Sequence, residues 1–123
     1  MSLERLPIAL RLAAFGGAVA VLLWLSLAPV DALPPVSFWD KAEHALAYVV
    51  LTGFGLVLFA SRWRLVLGGV FLLGALIEVL QSVMGLGRQG DLIDLLADAL
   101  GIAVAVGVAV LLRLVLNLRG RVT

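Results

Sequence analysis

Apolar residues in this chain fall into four long blocks, and the charged residues gather where those blocks begin and end. The blocks run over residues 8–28, 38–60, 65–84 and 92–112. Each approaches or exceeds the ~20 mainly apolar residues that a helix needs to cross a ~30 Å hydrocarbon core. Arg11 interrupts the first block only near its start, and Pro29, Pro34 and Pro35 stop a helix after it. The later links are short: Ser61-Arg62-Trp63-Arg64, then residues 85–91. Links of that length place successive helices antiparallel. The pattern predicts an all-α fold, a polytopic membrane protein built as one antiparallel four-transmembrane-helix bundle over residues 1–123.

The first block also has the look of a secretory signal, with Arg5 and Arg11 as a basic region and Ser26-Leu27-Ala28 as a cleavage site. The uninterrupted run Leu12–Ala28 exceeds the ~7–15 residues of a signal core. Pro29 would also follow the cut. The block is therefore expected to remain as an anchor.

Composition sharpens this picture. Hydrophobic residues make up 63% and charged residues 14%, and the mean hydropathy is +1.18, which removes the water-soluble classes. There is no cysteine, which excludes disulfides, thiolate nucleophiles and cysteine-based zinc sites. The net charge of +1 says little, but its distribution says much. With the N-terminus in the cytoplasm, Arg5, Arg11, Arg62, Arg64, Arg113, Arg119 and Arg121 lie inside, and only Lys41 and Arg88 lie outside. That is the positive-inside bias, and it predicts both termini in the cytoplasm. Trp24, Trp39 and Trp63 fall near span ends, as interfacial anchors do.

The acidic residues run the other way. All but Glu4 fall in the outer half, and two of them cannot stay out of the membrane. Residues 65–77 are all that separate Arg64 from Glu78, and residues 99–112 all that separate Asp98 from Arg113. Neither stretch crosses ~30 Å alone. Glu78 and Asp98 are thus drawn into the outer leaflet, where a carboxylate costs ~3 kcal/mol on insertion scales and faces the bundle interior.

Helical spacing gathers the polar residues into stripes. Asp40, His44 and Tyr48 recur at i, i+4, i+8, with Lys41 beside them; Glu78 and Gln81 are i, i+3; Asp91, Asp94 and Asp98 are i, i+3, i+7. With alternating spans, these stripes and Arg88 meet at the outer face, and Asp98 lies deepest.

Three functions compete for this constellation, beside a structural role in which the same groups only stitch helices together. In a binding protein for an envelope component, Lys41 and Arg88 hold a carboxylate or phosphate, and Tyr48 and Gln81 give orienting hydrogen bonds. In an intramembrane enzyme, His44 is the general base and Glu78 the general acid. Glu78, Asp94 and Asp98 then hold a divalent cation. No HExxH or paired metal motif supports the enzyme, so the balance leans against catalysis. A proton-coupled transporter ranks last, because no charged residue continues the path through the inner half of spans two to four and no inverted repeat is visible.

Other features are plainer. Ala97, Gly101, Ala105 and Ala109 make a small-residue stripe for helix packing. Such seams allow a homo-oligomer without demanding one. The glycines of 85–90 lack the Lys-Ser/Thr of a phosphate loop and read as a tight turn. Membrane lipids are the expected surroundings, and no nucleic-acid partner is expected.

Three segments resemble the VanZ-like family. Asp40-Lys41-Ala-Glu-His44-Ala-Leu-Ala-Tyr48 resembles its D-K-x-x-H-x-x-x-Y opening, and Glu78-Val-Leu-Gln81 its E-x-x-Q. Arg88 followed by Asp94-Leu-Leu-Ala97-Asp98-Ala-Leu-Gly101 resembles its R…D-x-x-A-N-x-x-G ending. Together they cover residues 40–101, in family order. One position departs: Asp98 stands where the family usually has Asn, so an amide donor is replaced by an ionisable acid. The family is named for an accessory protein that lowers teicoplanin susceptibility. The resemblance therefore implies a multi-pass protein of the bacterial cytoplasmic membrane linked to the envelope, with an envelope precursor or a lipoglycopeptide as the implied ligand. It implies no reaction.

Overall fold

The computed structural model describes residues 3–27, 40–84 and 92–122, the side chains of Asp40, Lys41 and Val122 excepted. Among the described residues there are four α-helices: α1 (Ile8–Leu27), α2 (Asp40–Leu58), α3 (Trp63–Met84) and α4 (Leu92–Val122). A 3-10 turn, Ala60–Arg62, joins α2 to α3. Helices α1, α3 and α4 are long and apolar enough to cross a membrane. The chain is an all-α membrane protein.

Helix α2 is the marginal member. Within the expected span 38–60, the described helix Asp40–Leu58 has 19 residues, about 28 Å at 1.5 Å per residue. It ends at Leu58 because Phe59 leaves the helical region, with φ −135° and ψ 48°. Helix α4 departs the other way and runs ten residues past the expected end at Leu112. Arg113 ends the apolar block, but nothing from Leu112 to Arg119 stops a helix. The limit of a membrane span is set by charge, and the limit of a helix by the backbone.

Contacts fix the directions. Gly55 of α2 lies against Val66 of α3, whereas Tyr48, earlier in α2, lies against Gly74, later in α3, so the two helices are antiparallel. Phe15 of α1 meets Phe54 and Phe59, at ring-centroid distances of 6.4 and 6.1 Å, and Gln81 reaches Ser26. Helix α1 therefore runs parallel to α3. Helices α2 and α4 pack most extensively of all pairs, side by side and parallel. The result is an up-down-up-down bundle in which the C-terminal ends of α1 and α3 and the N-terminal ends of α2 and α4 share one end.

Lipid tails are as apolar as leucine, so close packing rather than the hydrophobic effect must hold these helices together. The buried core is Tyr48, Leu51, Leu58, Phe59, Val66, Val70 and Ile102, flanked by Phe15, Ala18 and Leu22 of α1. On α3 the buried residues Val66, Val70, Gly74, Ile77, Glu78 and Gln81 form one stripe. The opposite face, with Leu65, Leu72, Leu76 and Val83, is exposed. Polar inside and apolar outside is the arrangement a lipid solvent demands.

The opposite end is tied by the N-terminal segment. The Arg11 guanidinium donates to the carbonyls of Leu6 (3.1 Å) and Leu58 (2.9 Å) and lies 5.2 Å from the Phe59 ring centroid. The N–H of Leu3 donates to the Val57 carbonyl at 2.9 Å. Both bonds satisfy carbonyls in the last turn of α2, where a helix leaves them without partners and where a cation is favoured. Glu4 accepts from the N–H (2.7 Å) and the hydroxyl (2.6 Å) of Ser61.

Candidate functional site

At the other end, α2, α3 and α4 each turn polar side chains inward. Helix α2 gives His44, Tyr48 and Thr52 at four-residue spacing, α3 gives Gly74, Glu78 and Gln81, and α4 gives Asp94, Asp98 and Gly101. Of these, His44 alone is not fully buried. Glu78 and Asp94 are each 7% exposed and Asp98 only 1%.

The approach of α2 to α4 makes the site. Gly101 lies against the Ala45 carbonyl so closely that a Cβ would overlap it, and the same Cβ would stand 3.0 Å from Cβ of Tyr48. With glycine there, the helices close up, and one turn away His44 Nδ1 comes to 3.2 Å from Asp98 Oδ1. Ala105 is buried in the same seam, and Ala97 and Ala109 are half-buried.

Gly74 gives room of a second kind. A Cβ there would meet Asp98 Oδ2 at 3.0 Å and the Tyr48 hydroxyl at 3.3 Å. These two oxygens thus converge on one point of α3, one turn below Glu78. Neither has a hydrogen-bond partner among the described residues, nor does the Thr52 hydroxyl deeper on α2. Buried polar atoms are normally paired, so such a group calls for an explanation.

A nearer set lies beside them. One ligand atom each from His44, Glu78 and Asp94 falls within 4.8 Å of the others. This set differs in one member from the sequence expectation of Glu78, Asp94 and Asp98. Asp98 instead pairs with the near ring nitrogen of His44, Nδ1. When Nδ1 donates to a carboxylate, Nε2 is left as the acceptor or ligand atom.

Gln81 points toward α1, where its Nε2 donates to the Ser26 carbonyl at 2.8 Å. It fastens the first helix to the polar end. Asp40 and Lys41 occupy the first turn of α2, but their side chains, and all of Arg88 and Asp91, lie outside the described residues.

Three contributors lie outside the polar stripes. Thr52 continues Asp40, His44 and Tyr48 by one further turn, and Gly74 precedes Glu78 by one turn, so helical spacing could have found both. Ser26 acts through its backbone carbonyl, for which a sequence carries no signal. At the opposite end, Ser61 to Leu65 line an open recess of about 440 Å³ that shares no residue with this cluster.

Comparison with protein-family models, curated proteins and solved structures finds no match for this chain.

Proposed function

We propose that the polar end of the bundle is a binding site facing the outside of a bacterial cytoplasmic membrane, and that it takes a cell-envelope ligand. The ligand class is a lipid headgroup, a peptidoglycan-related precursor or a lipoglycopeptide. The observation that carries this reading is the burial of Glu78, Asp94 and Asp98 with His44 at one end of an otherwise apolar bundle. Each intramembrane carboxylate costs about 3 kcal/mol on insertion scales. A polar contact between membrane helices returns about 0.6 kcal/mol on average. Three acids at one end cost more than an average helix–helix polar contact returns, which favours a bound ligand as a further partner.

Orientation rests on charge. Arg5, Arg11, Arg62, Arg64, Arg113, Arg119 and Arg121 all belong to the end away from the cluster, which the positive-inside rule places in the cytoplasm. Lys41 and Arg88 belong by sequence to the polar end, where cations suit a carboxylate or phosphate. The motif resemblance to the VanZ-like family supports an envelope role and a lowered susceptibility to teicoplanin, whose acyl chain suits a site beside lipid. An intramembrane enzyme is the second reading, favoured by the His44–Asp98 pair, which resembles an oriented general base.

The test is teicoplanin and vancomycin susceptibility in a susceptible Gram-positive host expressing this chain, with Glu78→Gln and Asp98→Ala at matched membrane levels. Protection against teicoplanin that both substitutions abolish is the expected result. No protection at verified expression rejects the resistance role.

A further inference from the structure

We infer that His44, Glu78 and Asp94 form a three-ligand site for a divalent transition metal ion of the zinc or manganese class, with Asp98 orienting the histidine. The inference rests on the reading of the polar end as a ligand site and names the ion that site takes.

Geometry comes first. The three candidate ligand atoms come from three different helices and lie within 4.8 Å of one another. Around a tetrahedral ion with bonds of about 2.1 Å, ligand atoms stand roughly 3.4 Å apart, so the set needs to close by up to about 1.4 Å. Glu78 and Asp94 are buried and His44 half-buried, so the ion would sit at the mouth of the bundle rather than in open water.

Donor chemistry selects the ion. One imidazole nitrogen with two carboxylates suits zinc, manganese or ferrous iron better than calcium or magnesium, which prefer all-oxygen shells. Three protein ligands leave a position open for water or for an oxygen of a bound molecule.

The surroundings supply the independent observation. Asp98 Oδ1 stands 3.2 Å from His44 Nδ1; with the proton on Nδ1 this is the carboxylate–histidine pairing that fixes the ring of a metal-bound histidine, and Nε2 would be the ligand atom. Its second oxygen, Oδ2, on a side chain 1% exposed, has no hydrogen-bond partner among the described residues, and neither has the Tyr48 hydroxyl that converges with it over Gly74. Both converge one turn along α3 from Glu78, itself one of the three ligands.

The experiment uses the full chain, purified in detergent by a tag without histidine, stripped with a chelator and dialysed. Zn²⁺ and Mn²⁺ binding is measured by calorimetry, with metal content by mass spectrometry, and Co²⁺ serves as an optical probe. The expected result is about one ion per chain and a Co²⁺ spectrum distinct from the free ion. His44→Ala, Glu78→Gln and Asp94→Asn should each weaken binding at least ~100-fold, and Asp98→Asn by ~10–100-fold, as expected of an outer-shell partner. Ser61→Ala, at the far end, should leave it unchanged. A free-ion Co²⁺ spectrum with the folded wild-type protein overturns the inference without recourse to any variant. Equal affinity in His44→Ala and Glu78→Gln overturns it too. Metal binding without any change in glycopeptide susceptibility keeps the metal site and rejects the envelope reading; the converse keeps the envelope reading and rejects the metal.

Discussion

Gly101 of α4 packs directly on the backbone carbonyl of Ala45 in α2, leaving no room for a Cβ between them. This contact sets the spacing of the two helices and so the distance from His44 to Asp98. Gly101→Ala must push α4 away from α2, at about 1–3 kcal/mol for an overpacked core position. The expected outcome is a lowered thermal midpoint in detergent together with weaker ligand or metal binding. Gly107→Ala, where a Cβ meets nothing, should do neither.

Gly74 separates space from stability. Its Cβ would press on Asp98 Oδ2 and the Tyr48 hydroxyl rather than on backbone. Gly74→Ala should therefore impair the site while stability falls by less than in Gly101→Ala. Parallel unfolding and binding measurements on the two variants check this ordering.

Arg11 is a structural residue of the far end. Arg11→Ala removes a charged hydrogen bond to Leu58 and the contact with Phe59. A bond of that kind contributes roughly 1.5–3 kcal/mol. Stability should fall by about that amount, with binding at the polar end unchanged in the folded fraction.

Glu4 gives a pH signature outside the membrane. Donation by the Ser61 hydroxyl and then its N–H holds the Glu4 carboxyl below the usual carboxylate range. Such a group adds stability that is fully present above its unfolded pKa and is lost as pH falls through its folded pKa. The stability difference between wild type and Glu4→Ala should be constant near neutrality and shrink below about pH 4. A difference that grows on acidification would contradict the contact.

Much of this was legible in the sequence. Prolines, charges and apolar length marked four helices, and three- and four-residue spacing turned His44, Tyr48, Glu78, Asp94 and Asp98 inward, whereas Gln81 of the same stripe reaches α1 instead. Helix ends were less legible, because Phe59 breaks α2 through its backbone and Arg113 does not break α4 at all. The division of labour between His44 and Asp98 was hidden too. It depends on how far α4 rotates and how closely it approaches, which Gly101 and its contact with Ala45 decide. The Ser26 carbonyl could not be seen in a list of side chains.

The central claim is that the buried acids serve a ligand rather than the fold, and the stability of Glu78→Gln tests it most directly. The substitution keeps the shape and removes a buried charge. If Glu78 belongs to a site, thermal unfolding in detergent should show a stability equal to or above wild type, with the loss confined to binding and susceptibility. A variant that unfolds several degrees lower while keeping wild-type binding and protection would contradict the account and leave the polar end as helix stitching.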